Sequence, residues 1–268
     1  MKRVTLLSLA ALLHLAACSP VEETAEEVVT VDFRAGTTKS AVEDDTAIRC
    51  LDIFVYRSDT GALEAHIRTE GISASLELPK GVALEWILLA NAPEGADPAL
   101  CSKMEDNSSG YLVMSGRGSG SFAKSSSVSL KLSRLMSKVV LEKLTPCEGF
   151  SRAYLADVAA TCPYLEGPDT SELRYNVAGA DMSLSPFLKA CLVSSSCSEA
   201  EFFCYPDPSA RTALVIEMGE DSYRAQLPPL KGNTTYIIKE LVIESRKELC
   251  ITIQINPWEE VDSSCTLE

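Results

Sequence analysis

The residues most able to perform chemistry in this sequence are its cysteines and histidines, which can act as nucleophiles, bases or metal ligands. There are ten cysteines but only two histidines, and no two cysteines have the C-x-x-C spacing typical of zinc and redox motifs. His14 lies in an apolar N-terminal run, and His66 lies in the alternating stretch ALEAHIRT, which predicts an exposed strand position. Nucleophilic catalysis needs a base held by an orienting group. We therefore expect no enzyme activity, metal or cofactor.

Cys18 is distinguished by the sequence that precedes it. Lys2 and Arg3 are followed by a mostly apolar run from Val4 to Ala17, too short to span a bilayer. This pattern predicts a secretory signal peptide over residues 1–17. Its end, LAAC, resembles the lipobox of bacterial lipoproteins, which implies cleavage before Cys18 and acylation of the thiol with fatty acids such as palmitate. Acyl chains anchor a protein without a transmembrane helix. The alternative is an ordinary signal peptide that happens to contain Cys18.

The residues after Cys18 and the overall charge indicate the compartment and exclude one class of partner. Ser19, in place of an aspartate, favours the outer membrane, and Glu22 and Glu23 resemble a signal for export to the cell surface. Removal of the leader takes the net charge from −14 to about −16, because Lys2 and Arg3 leave with it. A nucleic-acid partner would require a basic surface, so we expect none.

Export also predicts disulfide bonds, because they form in oxidising compartments. Nine cysteines remain after Cys18, an odd number, so at least one thiol stays unpaired or pairs between chains. We expect Cys191–Cys197 and Cys147–Cys162 to close local loops.

The elements that position these residues are short segments in which apolar and polar residues alternate, separated by turn signals. Period-two alternation predicts half-buried strands, as in VTVDF, CLDIFVYR, ISASLELP and VSLKLSR. The pattern favours an all-β protein built from two tandem antiparallel β-sandwich domains. We expect an acidic tether over residues 18–27, an N-terminal sandwich over 28–136, and a C-terminal sandwich with a C-terminal strand region over 137–268. Gly116–Gly120 lacks the phosphate-loop pattern and predicts a flexible turn.

The order of several segments resembles the fimbrillin family of the Bacteroidota, whose members are subunits, anchors and tips of surface pili. After the lipobox come VVTVDF, TTKSAVEDD, LDIFVYRSDTGAL, LPKG, WILLANAP, VSLKLSRLMSKVVLEKL, FFCYPDP, LPPLKGNTTYIIKELVI and CITIQINPWEEV. The resemblance implies two transthyretin-like sandwich domains, a role in adhesion, and assembly with other pilus subunits by strand exchange. In that mechanism the first strand leaves after proteolysis in the following loop, and a C-terminal strand of another subunit replaces it.

Mapped on this chain, the resemblance assigns the displaceable strand to Val28–Phe33, with Val29, Val31 and Phe33 in the groove. The loop in which the family carries a processing arginine has Lys39 instead, and the nearest arginines are Arg34 and Arg49. Asp45-Thr46-Ala47 resembles the O-glycosylation sequon of exported proteins from the same phylum, which implies modification at Thr46.

The resemblance places the donor strand at the C-terminus, with Ile251, Ile253 and Ile255 as its apolar residues. The tail that begins at Trp258 is short and polar. This tail and the missing loop arginine suit a subunit that stays lipid-tethered or caps one end of a pilus.

Two other classes of function compete with a pilus subunit. The first is a non-polymerising surface lipoprotein that binds a glycan or a host or bacterial surface ligand. The second is a glycosidase, since paired carboxylates could occur among 38 acidic residues. The low aromatic content of 6% argues against the second, and we expect Trp86 to lie in the core.

Overall fold

The protein is built almost entirely of β-strands in the residues that its computed structural model describes, which are 26–36, 47–107, 111–145, 148–165, 198–245 and 248–257. These residues form seventeen strands and one 3-10 helix, Met104–Asp106. The strands are β1 (Val28–Gly36), β2 (Cys50–Arg57), β3 (Leu63–Glu70), β4 (Ser73–Pro79), β5 (Leu84–Ala90), β6 (Cys101–Lys103), β7 (Met114–Gly120), β8 (Ser126–Lys131), β9 (Ser133–Arg134), β10 (Ser137–Thr145), β11 (Phe150–Ala156), β12 (Thr161–Pro163), β13 (Ser198–Cys204), β14 (Ala213–Met218), β15 (Asp221–Gln226), β16 (Thr234–Ser245) and β17 (Glu248–Pro257). The predicted all-β class is confirmed. Across the described ranges, no helix has the length and apolar character needed to cross a bilayer.

Two sheets form the N-terminal half of the protein. One has the strand order β4-β1-β8 and the other has the order β3-β2-β5-β7-β9. Neighbouring strands are antiparallel except β1 and β8, which are parallel. Because successive side chains of a strand point to opposite faces, alternate residues of both sheets meet in one apolar core. Its buried members include Val31, Phe33, Leu51, Ile53, Val55, Leu78, Leu84, Trp86, Leu88 and Phe122.

The glycine-rich stretch Gly116–Gly120 is part of β7, so the prediction of a flexible turn is wrong. Its three glycines share one face of the strand, and Gly118 lies opposite Trp86 in the ladder. A Cβ on Gly118 would lie 2.5 Å from Nε1 of Trp86. The indole of Trp86 therefore packs directly on the main chain of β7, and Gly118 allows this close approach because it has no side chain. Trp86 is buried, as the sequence predicts.

The C-terminal half contains a four-stranded sheet of order β13-β10-β16-β17 and a three-stranded sheet of order β11-β14-β15. The apolar-rich segments LMSKVVLEKL, ALVIEMG, YIIKELVIES and CITIQI contain most of β10, β14, β16 and β17, respectively. In the described part of the cysteine-rich region 145–200 lie β11, β12 and the start of β13. The buried residues of this half include Val139, Leu141, Leu155, Phe202, Tyr205, Leu214, Ile216, Tyr236, Ile238 and Leu241.

The two cores lie on opposite faces of the five-stranded sheet. On β2, Ile53 belongs to the N-terminal core and Phe54 to the C-terminal core. On β5, Leu88 and Leu89 are divided in the same way. A strand buried on both faces reads as a continuous apolar run, which explains the composition of LEWILLANAP. The division into two domains near residue 137 remains a prediction. The two halves pack against each other, because both cores use side chains of the five-stranded sheet.

The connection between β5 and β7 strengthens this junction. Met104, Leu112 and Val113 belong to the C-terminal core, and β6 pairs with β12. Tyr205 lies at the centre of this junction. Its hydroxyl accepts a hydrogen bond from Asn107 Nδ2 at 2.8 Å and donates one to the Lys103 carbonyl at 2.7 Å. The same hydroxyl lies 2.8 Å from Ser102 Oγ. Burial raises the pKa of Tyr205, so the hydroxyl stays protonated.

The cysteines differ from the sequence prediction. Cys162 and Cys204 are buried free thiols, and the predicted Cys147–Cys162 bridge is wrong. The reason is that Cys162 lies on β12 within the C-terminal core, where its Sγ donates to the Pro163 carbonyl at 3.5 Å. Burial raises the pKa of both thiols to about 12. The pair Cys191–Cys197 lies outside the described residues and remains a prediction.

Candidate functional site

β1 is the first described strand, yet it occupies the centre of its sheet. It forms seven antiparallel residue pairs with β4 and six parallel pairs with β8. Because β4 and β8 are joined only through β1 in the sheet order, removal of β1 would open an edge on each of them. We call the slot between β4 and β8, floored by the N-terminal core, the β1 groove.

One face of β1 is fully buried and the other is exposed. Val31 and Phe33 have no exposed surface, and Ala35 has 1%. Val29, also predicted to lie in the groove, is half-buried. The residues between them are exposed, and they include Thr30, Asp32 and Arg34. This arrangement gives β1 the features of an inserted strand, in which main-chain bonds provide affinity and alternate side chains provide selectivity.

Phe33 forms the main apolar contact in the β1 groove. Its ring lies 5.7 Å from the ring of Trp86 at 66° and 6.5 Å from that of Phe122 at 84°, centroid to centroid. Edge-to-face pairs of this kind add to the free energy of burial. The Trp86 and Phe122 rings are 5.4 Å apart, so the three rings form one cluster that needs the side chain of Phe33 to be complete.

Two acidic residues hold the start of β1. Glu26 Oε2 lies 2.5 Å from Arg57 Nη2, and Glu27 Oε2 lies 2.5 Å from Lys80 Nζ. Hydrogen bonds to Glu64 and Glu26 raise the pKa of Arg57. The hydrogen bond from Lys80 lowers the pKa of Glu27 below its ordinary value. Both residues fall within the predicted acidic tether of residues 18–27, so the described end of that tether contacts the sandwich.

Two of the three predicted processing positions, Arg34 and Arg49, lie on either side of the connection that follows β1. Arg34 is inside the sheet, paired with Ser73 and Ser129. Arg49 precedes β2; its main-chain N–H donates to Asn91 Oδ1 at 2.9 Å, and its carbonyl accepts from Gly71 N–H at 3.2 Å. Proteases bind an extended backbone, so cleavage at either arginine requires these bonds to open first.

Four predicted positions fall outside the part of the chain that the structure describes. They are Cys18, Lys39, Thr46 and the tail from Trp258. The connection of residues 37–46, which joins β1 to β2, contains both Lys39 and Thr46.

The predicted donor strand is β17, at the edge of the four-stranded sheet. It pairs antiparallel with β16, and Ile253 lies opposite Ile238. Ile253 is half-buried, whereas Ile255 is 56% exposed. Ile251 lies in the same ladder, opposite Leu241. Among the described residues, the strand therefore lies at a sheet edge and exposes the apolar side chain of Ile255.

The outer face of β1 lies in an open depression that sequence analysis missed; its lining includes Phe33, Ala74 and Val128, and we call it the polar depression after its polar side chains. Its volume is about 480 Å³, and its polar side chains are Asp32, Arg34, Ser73, Ser75, Ser127 and Ser129. Ser75 Oγ donates to Asp32 Oδ1 at 2.5 Å. The serines that alternate with apolar residues in SASLELP and SSVSLK were the available signal. Hydroxyl, carboxylate and guanidinium groups on one surface suit a hydroxylated ligand.

His66 belongs to a structural cluster on the opposite side of the N-terminal half. Its Nε2 lies 3.1 Å from Oδ1 of the buried Asp52, and its ring stacks on Phe54 with centroids 4.2 Å apart. Arg68 pairs with the other oxygen of Asp52. Arg68 therefore supplies a counter-charge to this buried carboxylate, and His66 is a second polar partner. Within the described ranges, no group of three or more His, Cys, Asp or Glu side chains is arranged to hold a metal ion.

Comparison with known proteins places this fold among fimbrial proteins. No protein-family model and no curated protein sequence matches the chain. The tip fimbrial protein Mfa3 from Porphyromonas gingivalis, with C-terminal truncation, aligns with a TM-score of 0.61 and 11% identity over 87% of this chain and 100% of that chain. A fimbrial assembly protein from Parabacteroides distasonis ATCC 8503 aligns with a TM-score of 0.58 and 16% identity over 86% of this chain and 98% of that chain. At such identities the similarity establishes the fold. These structural neighbours are fimbrial proteins, as the sequence resemblance predicts.

Proposed function

We propose that this protein is a fimbrial subunit of the outer-membrane surface, acting as an anchor or tip, that assembles by β-strand exchange through the β1 groove and serves adhesion. The observation that carries the proposal is the position of β1. The first described strand lies between β4 and β8 with its apolar face buried, and it joins the rest of the described protein through residues 37–46.

The physical basis is the instability of the groove once β1 has left. Its departure exposes main-chain groups on β4 and β8 and the apolar surface around Trp86 and Phe122, which together form a template for another strand. Burial of Val31 or Phe33 contributes about 1.5–3 kcal/mol each. A replacement strand must therefore supply apolar residues at alternate positions.

The proposed donor is the C-terminal strand of another subunit, which offers Ile251, Ile253 and Ile255. Donor and acceptor surfaces differ, so the contact is head-to-tail and repeats into a filament. β17 lies at a sheet edge, so its release would break a ladder on one side only.

The anchoring step rests on Cys18. Acylation of this thiol, with cleavage before it, would tether the chain to the outer membrane. Arg34 and Arg49 are held in main-chain hydrogen bonds, which favours a subunit that keeps β1 and its tether. Such a subunit keeps β1 in its own groove, so it would enter strand exchange only as the donor and would lie at one end of a pilus.

Strand exchange can be tested with the mature chain carrying a protease recognition sequence between residues 37 and 46. After cleavage, we expect release of the β1 peptide to be accompanied by oligomers that withstand mild heating in detergent and appear as a ladder on a gel. The uncleaved chain is the control and should remain monomeric. A cleaved chain that loses β1 and still remains monomeric would refute the proposal.

Mass spectrometry of the surface form tests the anchor. An acylated Cys18 at its N-terminus would support permanent tethering. An N-terminus at Ala35 or Ser40 would contradict it and would favour a processed stalk subunit.

A second candidate function is ligand binding without polymerisation, and the polar depression over β1 favours it. In that case the cleaved protein stays monomeric and binds an oligosaccharide on a glycan array. Substitution of Ser73 and Ser127 by leucine would remove that binding, because it replaces hydroxyl groups on both sides of the depression.

A further inference from the structure

The ion pairs at the start of β1 lie where they can act on any strand in the β1 groove. Arg57 ends β2, and Lys80 directly follows β4. Glu64 Oε2 lies 2.5 Å from Arg57 Nε, so the guanidinium is oriented by its own half of the protein before it meets Glu26. The Lys80 main-chain N–H also donates to the Glu27 carbonyl at 2.7 Å. The two cations are thus fixed on the groove and not on β1.

Main-chain pairing alone does not fix the register of a strand in this groove. The side-chain period of a strand is two, so a shift of two residues returns the same face to the core. In β1 such a shift would still point Val29, Val31, Phe33 and Ala35 inward, although it would move Phe33 away from Trp86 and Phe122. It would, however, move Glu26 and Glu27 by about 6.6 Å, because a strand rises about 3.3 Å per residue. That displacement breaks both ion pairs.

We propose that Arg57 and Lys80 form a charge clamp that selects the strand in the β1 groove and fixes its register, an inference that rests on strand exchange as the proposed function. The clamp favours a strand with acidic residues three and two positions before its first inward-facing apolar residue. In β1 these positions are Glu26 and Glu27, ahead of Val29.

Residues 248–257 of the chain itself have the same spacing of apolar residues and one of the two acidic residues. When ELCITIQINP is aligned with EEVVTVDFRA in the same direction, Ile251, Ile253 and Ile255 coincide with Val29, Val31 and Phe33. The partner is therefore residues 248–257 of a second copy, running parallel to β8 as β1 does.

The alignment also explains how the two segments differ at the clamp. Glu248 takes the place of Glu26 against Arg57, whereas Leu249 takes the place of Glu27 and leaves Lys80 without a carboxylate. The chain's own β1 therefore holds the groove more tightly at its start than the donor does. Exchange is favoured only after β1 has been cut from the rest of the chain.

The experiment displaces a labelled β1 with synthetic peptides. The mature chain is labelled at its N-terminus and cleaved between residues 37 and 46, and loss of the label is followed as peptide is added. Three peptides are compared, namely residues 248–257, the same peptide with Glu248→Lys, and the same peptide with Leu249→Glu.

Charge at the two clamp positions should decide the order of the peptides. Replacing an exposed ion pair by repulsion should weaken the Glu248→Lys peptide about tenfold, and a new pair with Lys80 should strengthen the Leu249→Glu peptide about threefold. The Glu248→Lys peptide should recover on an Arg57→Glu chain. The gain of the Leu249→Glu peptide should disappear on a Lys80→Glu chain. The differences in displacement between the unmodified peptide and its two variants should shrink near 1 M salt, where the Debye length is about 3 Å.

A matched control separates the clamp from net charge. Arg224→Glu makes the same change of charge as either clamp variant and breaks an exposed ion pair in the C-terminal half, with Asp157. This chain should rank the peptides as the parent does, and an altered ranking would overturn the clamp. Equal displacement by all three peptides on the parent would also overturn the clamp while leaving strand exchange intact. Failure of every peptide to displace β1 would overturn strand exchange itself.

Discussion

Truncation of Phe33 to alanine is the sharpest test of how β1 is held. The side chain is fully buried and contacts the rings of Trp86 and Phe122. A buried Phe→Ala change removes about 3–5 kcal/mol. At about 1.4 kcal/mol per factor of ten, β1 should leave a chain cleaved between residues 37 and 46 roughly a hundred to several thousand times more readily.

The measurement uses the fluorescence of Trp86. With Trp258→Phe as background, Trp86 is the only tryptophan, and its environment changes when Phe33 leaves the cluster. Dissociation of β1 is followed after dilution of the cleaved chain. Val28→Ala is the matched control, because Val28 is on the same strand but is 57% exposed; it should change retention less than about threefold. An effect of Phe33→Ala below tenfold would mean that apolar burial does not hold the strand.

Three further predictions concern the packing that supports the groove and the junction of the two halves. Gly118→Ala places a Cβ 2.5 Å from Trp86 Nε1 and should lower the free energy of unfolding by about 1–3 kcal/mol in urea denaturation; an unchanged midpoint would show that the indole can move away freely. Tyr205→Phe leaves Asn107 Nδ2 with one partner fewer in a buried site and should lower the free energy of unfolding by about 1–3 kcal/mol, whereas a neutral effect would mean that water replaces the hydroxyl. Cys204, whose pKa is raised to about 12 by burial, remains a protonated thiol from pH 7 to 9, so its alkylation should be slow in the folded protein and rapid in denaturant; fast labelling of the folded chain would contradict its burial.

Much of β1 and its site could be predicted from local sequence. The alternation in VVTVDF identified the strand and its apolar face, and the same alternation identified β17. The predicted burial of Trp86 followed from its apolar run. These properties depend on residues a few positions apart in the chain, and the period of a strand converts them directly into a face.

Predictions that needed distant partners succeeded less often. The stretch Gly116–Gly120 has a turn-like composition, and only its pairing with Trp86 on β5 makes those glycines part of a strand. Cys162 looked available for a local disulfide, but its place on β12 buries it as a free thiol. The polar depression was not predicted, because its hydroxyl groups come from β4 and β8, which are far apart in sequence.

The all-β class, most strands and the faces they bury follow from the residue pattern of the chain. The place of β1 between β4 and β8, the sheet shared by the two cores, and the pairing of Glu26 and Glu27 with Arg57 and Lys80 depend on the folded structure. Alternation is a property of neighbouring residues, so it survives in the unfolded chain. Strand order and ion pairing between remote residues exist only after the chain has closed its loops, and their geometry is set by the packing of the whole core.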